Sequence, residues 1–206
     1  MGIPLWVCLL TLVITGTIVV IYAILRPEEA TPCSMHEAWS DQPLHPFQNA
    51  SVDLEICATA YAASHYHHPK RQKYLKNELL TLYHAVTNFS VAIIFSSGGF
   101  GWSALECSPG YPSIIKAVED ELRLARKNVI SLNFIRTRPS FKGLLSEVFN
   151  NRGHYPAKAD ELALRMRFLL ENLPSIKFIL TGESNGTVTT NLAMQRLKDN
   201  ERVFSI

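Results

Sequence analysis

The sequence predicts an α/β fold, a partial and mostly parallel sheet with flanking helices, preceded by one N-terminal transmembrane helix. Three observations predict it. Short apolar, β-branched runs at 90–97, 129–135 and 176–180 alternate with amphipathic stretches of helical period. Parallel neighbours need connections of a dozen or more residues, and these stretches are long enough to supply right-handed crossovers. Two of the runs end in glycine-rich turns, Gly98-Gly-Phe-Gly101 and Gly182-Glu-Ser-Asn-Gly186. Lastly, residues 3–25 are 23 consecutive residues without a charge. A run of that length crosses about 30 Å of hydrocarbon.

The N-terminal run reads as an anchor in preference to a cleaved signal peptide. No Lys or Arg precedes it, it exceeds a signal core, and no Ala-x-Ala-like site follows. Trp6 and Tyr22 stand near its ends, where interfacial aromatics sit. The expected partner there is a lipid bilayer, with a single pass; Arg26 alone leaves the orientation open. Residues 26–52 carry four prolines among mixed polar residues and are expected to form a tether. The remainder, 53–206, is large enough for one domain with a core of its own.

Within that domain, 53–87 is expected as a helical lead-in and 88–206 as the partial sheet. Residues 53–66 are Ala-rich, and from Pro69 onward Leu75, Leu79, Leu82 and Val86 recur at three- and four-residue steps. After the strand at 90–97 the spacing predicts a helix over 114–127, a strand over 129–135 ended by Arg136 and Pro139, and a helix over 159–173. The strand at 176–180 then leads into the pentapeptide, a helix containing Val188, Leu192, Ala193 and Arg196, and the start of another strand at 203–206.

Gly-x-Ser-x-Gly between a strand and a helix is where a nucleophilic serine belongs. A strand that reverses abruptly into a helix strains the residue at its apex, and small neighbours two places away make room. Ser184 is therefore the candidate nucleophile, with Gly182 and Gly186 forming the elbow. The first free N–H groups of the following helix, beginning at Asn185, would face a developing oxyanion.

Strand, glycine-rich loop, helix, strand, helix, strand, Gly-x-Ser-x-Gly and helix in that order resemble the first half of an α/β-hydrolase core, over residues 90–196. The resemblance implies an oxyanion hole formed by the loop Ser97, Gly98, Gly99 and by the N–H of Asn185. Many esterases of the family have a His before the glycines, where this chain has Ser96-Ser97. The elbow is similar to the Gly-Glu-Ser-x-Gly form of carboxylesterases. In that family the acid and the histidine follow the nucleophile. The 22 residues after Ser184 hold Asp199 and Glu201 and no histidine. The resemblance thus implies a membrane-anchored serine esterase or acyl hydrolase, with an ester substrate, where those groups are supplied, and an inactive or truncated relative where they are not.

All seven histidines precede Ser184: His36, His45, His65, His67, His68, His84 and His154. His154 is nearest by topology to the carboxyl edge of the sheet and reads as a surface loop residue. The His65-x-His67-His68 group lacks an accompanying Cys or acid at ligand spacing and reads as a solvated helix end, so no metal and no cofactor is expected. The cluster Lys70, Arg71, Lys73, Lys76 reads as a solvated helix face. A net charge of +2 gives no reason to expect nucleic acid. Of the four cysteines Cys8 falls in the apolar run, leaving Cys33, Cys57 and Cys107. Asn49, Asn88 and Asn185 begin glycosylation patterns, and a glycan on Asn185 would compete with a working serine.

Two other readings stand beside the hydrolase. Gly99-Phe-Gly101-Trp-Ser-Ala104 after a strand matches a dinucleotide loop, with Arg136 and Arg138 facing a 2′-phosphate, although Pro109, Gly110 and Pro112 interrupt the chain where the phosphate-binding helix should begin. A non-enzymatic membrane protein with an α/β interaction domain is the other, since a short sheet leaves an edge that invites a partner or self-association.

Overall fold

The computed structural model describes Thr15, the backbone of residues 34–37, and residues 50–137, 140, 143–144, 147–148 and 155–206. The chain divides into two units, Met1–Pro32 and Cys33–Ile206, and the elements below belong to the second. Apart from Thr15, the apolar run 3–25 lies outside the described residues. Among the described residues no helix is long and apolar enough to cross a membrane.

The element order is β1 (Ser34–Glu37), α1 (Val52–His65), α2 (Pro69–Val86), β2 (Val91–Ser96), α3 (Tyr111–Leu124), β3 (Val129–Ile135), α4 (Pro156–Asn172), β4 (Lys177–Gly182), α5 (Asn185–Arg196) and β5 (Val203–Ser205). A 3₁₀ turn, Leu105–Cys107, precedes α3. The strands form one sheet in the order β1-β3-β2-β4-β5. β3, β2, β4 and β5 are parallel, and β1 pairs antiparallel on the outside of β3. The tether expected over 26–52 therefore contains an edge strand. Four residues among prolines carry no periodic signal, and it is pairing with β3 that defines the strand.

Helix starts follow local chemistry. Ser51 caps α1 by accepting the Leu54 N–H at 3.3 Å. At α2 the ring of His68 accepts from Lys70 N, and Pro69 occupies the first turn, where its missing N–H costs nothing. The helix expected from 114 begins instead at Tyr111, because Gly110 adopts φ +80° as its cap and Pro112 also fits a first turn. Leu75, Leu79, Leu82 and Val86 are all buried, as their spacing predicts.

Even and odd residues of the strands face opposite helix layers. Ala92, Ile94, Leu132, Phe134, Phe178 and Leu180 pack with α1, α2, α4 and α5, whereas Val91, Ile93 and Phe95 pack with α3 residues such as Ile115. β3 presents two polar residues to the α3 layer, and each has a partner for its oxygen. Ser131 Oγ donates to Glu119 Oε1 at 2.5 Å, and Asn133 Oδ1 accepts from Leu105 N at 2.8 Å.

From β2 the chain steps to β3 on one side, then returns across β2 to β4 on the other. Successive right-handed crossovers in opposite directions place their helices on opposite faces. The carboxyl ends of β2 and β4, where Ser96 pairs with Gly182, flank the crevice left between the diverging connections. Ligand sites of open α/β sheets lie at such a switch point.

One titration follows from the packing. Burial, reinforced by the Glu171 carboxylate, pushes the Tyr61 hydroxyl up to about 12, and the neutral hydroxyl donates to Leu164 O at 2.9 Å. A raised value favours the folded state below the unfolded pKa of 10.0 and loses that contribution as the pH rises towards about 12. Comparing unfolding free energies of the wild-type chain and Tyr61→Phe across this range is expected to show a steeper alkaline decline for wild type.

Candidate functional site

The elbow is built as the pentapeptide spacing predicts. β4 ends at Gly182, Ser184 is the residue before α5, and its backbone adopts φ 50° and ψ −119°. That combination lies outside the three regions open to L-residues. Surrounding bonds hold it there. Gly186 N donates to Glu183 O at 2.8 Å, Thr187 N to Ser184 O at 2.9 Å, and Glu183 N to Ser96 O at 3.1 Å, tying the turn to the end of β2. The Gly182 carbonyl accepts from two hydroxyls, Thr187 Oγ1 at 2.6 Å and Tyr111 Oη at 2.9 Å.

Both elbow glycines are required by contact. A Cβ on Gly186 would stand 1.9 Å from Ser96 O, and one on Gly182 would stand 2.5 Å from the carbonyl carbon of Gly186. No flexible side chain is there to yield, since backbone meets backbone. Ser184 itself is exposed, and among the described residues nothing hydrogen-bonds its Oγ.

The glycine loop after β2 closes on the elbow from the side. Gly98 is packed so that a Cβ would meet Glu183 O and Ser184 Cβ, each at 3.2 Å. Gly101 N donates to Gly98 O at 3.1 Å, forming a tight turn with Gly99 at φ +53° and Gly101 at φ +75°. Asn185 Nδ2 reaches Gly99 O at 3.4 Å. Among the described residues no acceptor meets the backbone N–H of Gly98, Gly99, Ser184 or Asn185. The four predicted loop residues, Ser97, Gly98, Gly99 and Asn185, are thus brought together around Ser184. Phe100 and Trp102 stack at 4.8 Å on the outer side of the turn, with Phe100 exposed.

Beneath the loop lies Arg136, which the dinucleotide reading expected to face a 2′-phosphate. It is fully buried. Nη1 donates to Ser97 O at 2.7 Å and Ser96 Oγ at 3.3 Å, and Nη2 to Gly99 O at 3.2 Å and Glu147 Oε1 at 2.9 Å. Glu147 Oε2 accepts in turn from Thr137 Oγ1 at 2.8 Å. The guanidinium lies 5.1 Å from the centre of the buried Tyr155 ring. Burial first, then the Glu147 charge, pushes the Tyr155 hydroxyl up to about 12, with Arg136 opposing. The helix after the glycines begins only at Tyr111, beyond the 3₁₀ turn, so it does not present its N-terminus to the loop as a dinucleotide phosphate site requires. Arg138 lies outside the described residues.

Arg136 was legible as a site residue only in the dinucleotide reading, which turned it outward, and Glu147 was not legible. An arginine closing an apolar strand is the only sequence signal, and it has two opposite readings, inward or outward.

The remaining expectations fall elsewhere. Asp199 and Glu201 are exposed in the α5–β5 turn, at the amino edge of the sheet and so opposite Ser184. His65, His67 and His68 are exposed around the end of α1 and start of α2; His65 Nδ1 engages Tyr61 O at 2.8 Å. His84 is exposed on α2, and among the described residues no histidine bonds Ser184. His154 and His45 lie outside the described residues, as do Asn49, Cys8 and Cys33. No group of three metal-ligating side chains occurs among the described residues. Lys76 pairs with Glu55 at 2.5 Å and Arg71 lies 5.8 Å from the Tyr66 ring, which spends half of the basic cluster locally. Asn88 is exposed in the turn before β2, whereas Asn185 is half-buried against the loop. Compared with known proteins, the chain matches no family model, no characterised protein and no solved structure.

Backbone strain at Ser184 is measurable. Ser184→Gly, which relieves an unfavourable φ, is expected to be about 1–2 kcal/mol more stable than Ser184→Ala, which retains it. Equal stabilities in denaturant titrations would refute a strained apex. Gly186→Ala is expected to lose about 3 kcal/mol or more through overpacking against Ser96. At Gly99 a Cβ meets nothing within 4 Å, so Gly99→Ala should cost only about 1–2 kcal/mol, from its left-handed φ alone.

Proposed function

We propose that this chain is a serine acyl hydrolase of the α/β-hydrolase type, with Ser184 as nucleophile, attached to a bilayer through residues 3–25. The observation that carries the reading is the backbone of Ser184, forced to φ 50° and ψ −119° at the carboxyl end of a parallel strand and exposed to solvent. A polar loop has no reason to hold a serine so. Strain of about 1–3 kcal/mol persists only where the surroundings over-determine it.

The chemistry expected at this site is acyl transfer. Ser184 Oγ attacks the carbonyl carbon of an ester while a general base takes its proton. The carbonyl oxygen becomes an oxyanion facing the N–H of Asn185 and the glycine loop, the alcohol leaves with a proton, and water then hydrolyses the acyl-serine. The base is unassigned, because the described histidines lie elsewhere. Phe100 and Trp102 supply apolar surface beside the loop, which favours an apolar acyl or aryl group. The buried, carbonyl-bound Arg136 and the late start of α3 count against the dinucleotide reading. The interaction-module reading draws on β5, a three-residue edge strand with Phe204 and Ile206 exposed; it gives no account of the strained serine.

Full-length protein treated with a fluorophosphonate probe is expected to label at Ser184, identified by peptide mass, and Ser184→Ala is expected to lose that label. Correctly folded protein that remains unlabelled at Ser184 sinks the enzyme reading.

A further inference from the structure

We propose that Arg136 is a positioning residue that turns the Gly98 N–H into the crevice as an oxyanion donor, with Glu147 holding the guanidinium in register. The proposal rests on the acyl-hydrolase reading above and adds to it the part that orients the loop.

Strand order supplies the geometry. The sheet runs β3-β2-β4, so the loop leaving β2 lies between Arg136, which follows β3, and Ser184, which follows β4. The described peptide bonds are all trans, and across a trans peptide the C=O of one residue and the N–H of the next point in opposite directions. Arg136 Nη1 holds Ser97 O at 2.7 Å from beneath the loop, and the same oxygen lies against the first turn of α5, 2.7 Å from where a Gly186 Cβ would stand. The Gly98 N–H then points the other way, out of the buried side of the loop and into the crevice at the carboxyl edge. The 3.2 Å approach of the Gly98 Cβ direction to Ser184 Cβ places Gly98 against the nucleophile independently of that reasoning. The Gly99 carbonyl is shared between Arg136 Nη2 and Asn185 Nδ2, at 3.2 and 3.4 Å, so the guanidinium fixes the loop while Asn185 pins it to the elbow.

Only a forked, permanently charged donor does this. Arg136 reaches two loop carbonyls, the Ser96 hydroxyl and the Glu147 carboxylate at once, while its own backbone N–H donates to Gly101 O at 2.9 Å. Lysine has a single point of charge and cannot span them. Glu147 pairs with the charge where both side chains are buried, as a fully buried guanidinium demands. Gly101 has room for no Cβ there, since Arg136 Nε would lie 2.7 Å from it.

The test is Arg136→Lys in the full-length chain, read by fluorophosphonate labelling of Ser184 and by amide exchange at Gly101. Losing one oriented donor is expected to slow the saturating labelling rate about 10²-fold, with the half-saturating probe concentration little changed, when labelling is run well below the lowered thermal transition of the variant. The Gly101 amide, bonded to Gly98 O, should exchange about tenfold faster as the turn loosens. Labelling and exchange both at wild-type rates overturn the proposal. If wild-type protein does not label at all, the hydrolase reading falls and the donor role falls with it, and the exchange measurement then reports only whether Arg136 clamps the loop. Should Arg136→Lys not fold, Arg136→Met/Glu147→Leu removes both buried charges together and is read in the same way.

Discussion

The structure depends on one close approach, the packing of the first turn of α5 against the carboxyl end of β2. A helix following a strand normally stands off its neighbour by the thickness of side chains. Here Gly186 lies so near Ser96 that a Cβ would stand 1.9 Å from its carbonyl oxygen. That contact obliges the chain to reverse within Glu183 and Ser184, and the reversal gives Ser184 its φ of 50°. The same proximity lets Glu183 N bond Ser96 O, which joins the two strand ends flanking the crevice. Strain at the apex, exposure of the serine and the free N–H groups at the start of α5 are consequences of one missing methyl group.

A second constraint is electrostatic. Burying a guanidinium costs several kcal/mol even after relaxation, and leaving its partner alone costs about 3–5 kcal/mol. An ordinary core avoids such a pair. In this chain the pair stands under a loop whose carbonyls would otherwise be buried acceptors, and Arg136 satisfies those of Ser97 and Gly99 together. The comparison with Arg165 is useful. That arginine is also buried, but it bonds Glu78 and Glu161 between α2 and α4, away from the crevice. Burial works to raise the Glu161 carboxyl, yet the Arg165 charge and the hydrogen bonds from Tyr66 and Arg165 bring it below its ordinary value. One buried arginine thus joins two helices, and the other supports a backbone turn beside a strained serine.

Local patterns made much of the fold legible. α2 was readable from leucines at helical spacing, β2 from a continuous apolar run, and the elbow from two glycines flanking a serine between a strand and a helix. Each of these signals is short-range, so a window of ten or fifteen residues contains it. β1 was not legible, because its four residues are a strand only through pairing with β3, nearly a hundred positions away. The helix starts at Tyr111 and Pro156 were missed by a few residues, since a proline in a first turn looks like a break when the cap before it is not recognised. At Pro156 that cap is Tyr155 at φ 58°, a conformation that no tyrosine advertises. The site divided the same way. Ser184 and the glycines announced themselves, whereas Arg136 and Glu147 act through contacts between residues 11 apart in sequence that carry no motif.

Topology also bounds where groups that would act with Ser184 under the proposed reading can stand. In a parallel sheet every strand delivers its carboxyl end to the same edge, and every crossover helix returns the chain to the other. Ser184, the glycine loop and Arg136 all follow strands and share the carboxyl edge. Asp199 and Glu201 follow a helix and lie at the amino edge, so their carboxylates are separated from Ser184 by the length of the sheet. On the acyl-hydrolase reading a proton acceptor for Ser184 has to stand at the carboxyl edge, where the connection between β3 and α4 also begins. It already contributes Glu147 to the Arg136 pair and Tyr155 beneath it. Arg136, Glu147 and Tyr155 therefore support the loop from the same edge at which Ser184 stands, and they are tied to the serine through the carbonyls of Ser97 and Gly99.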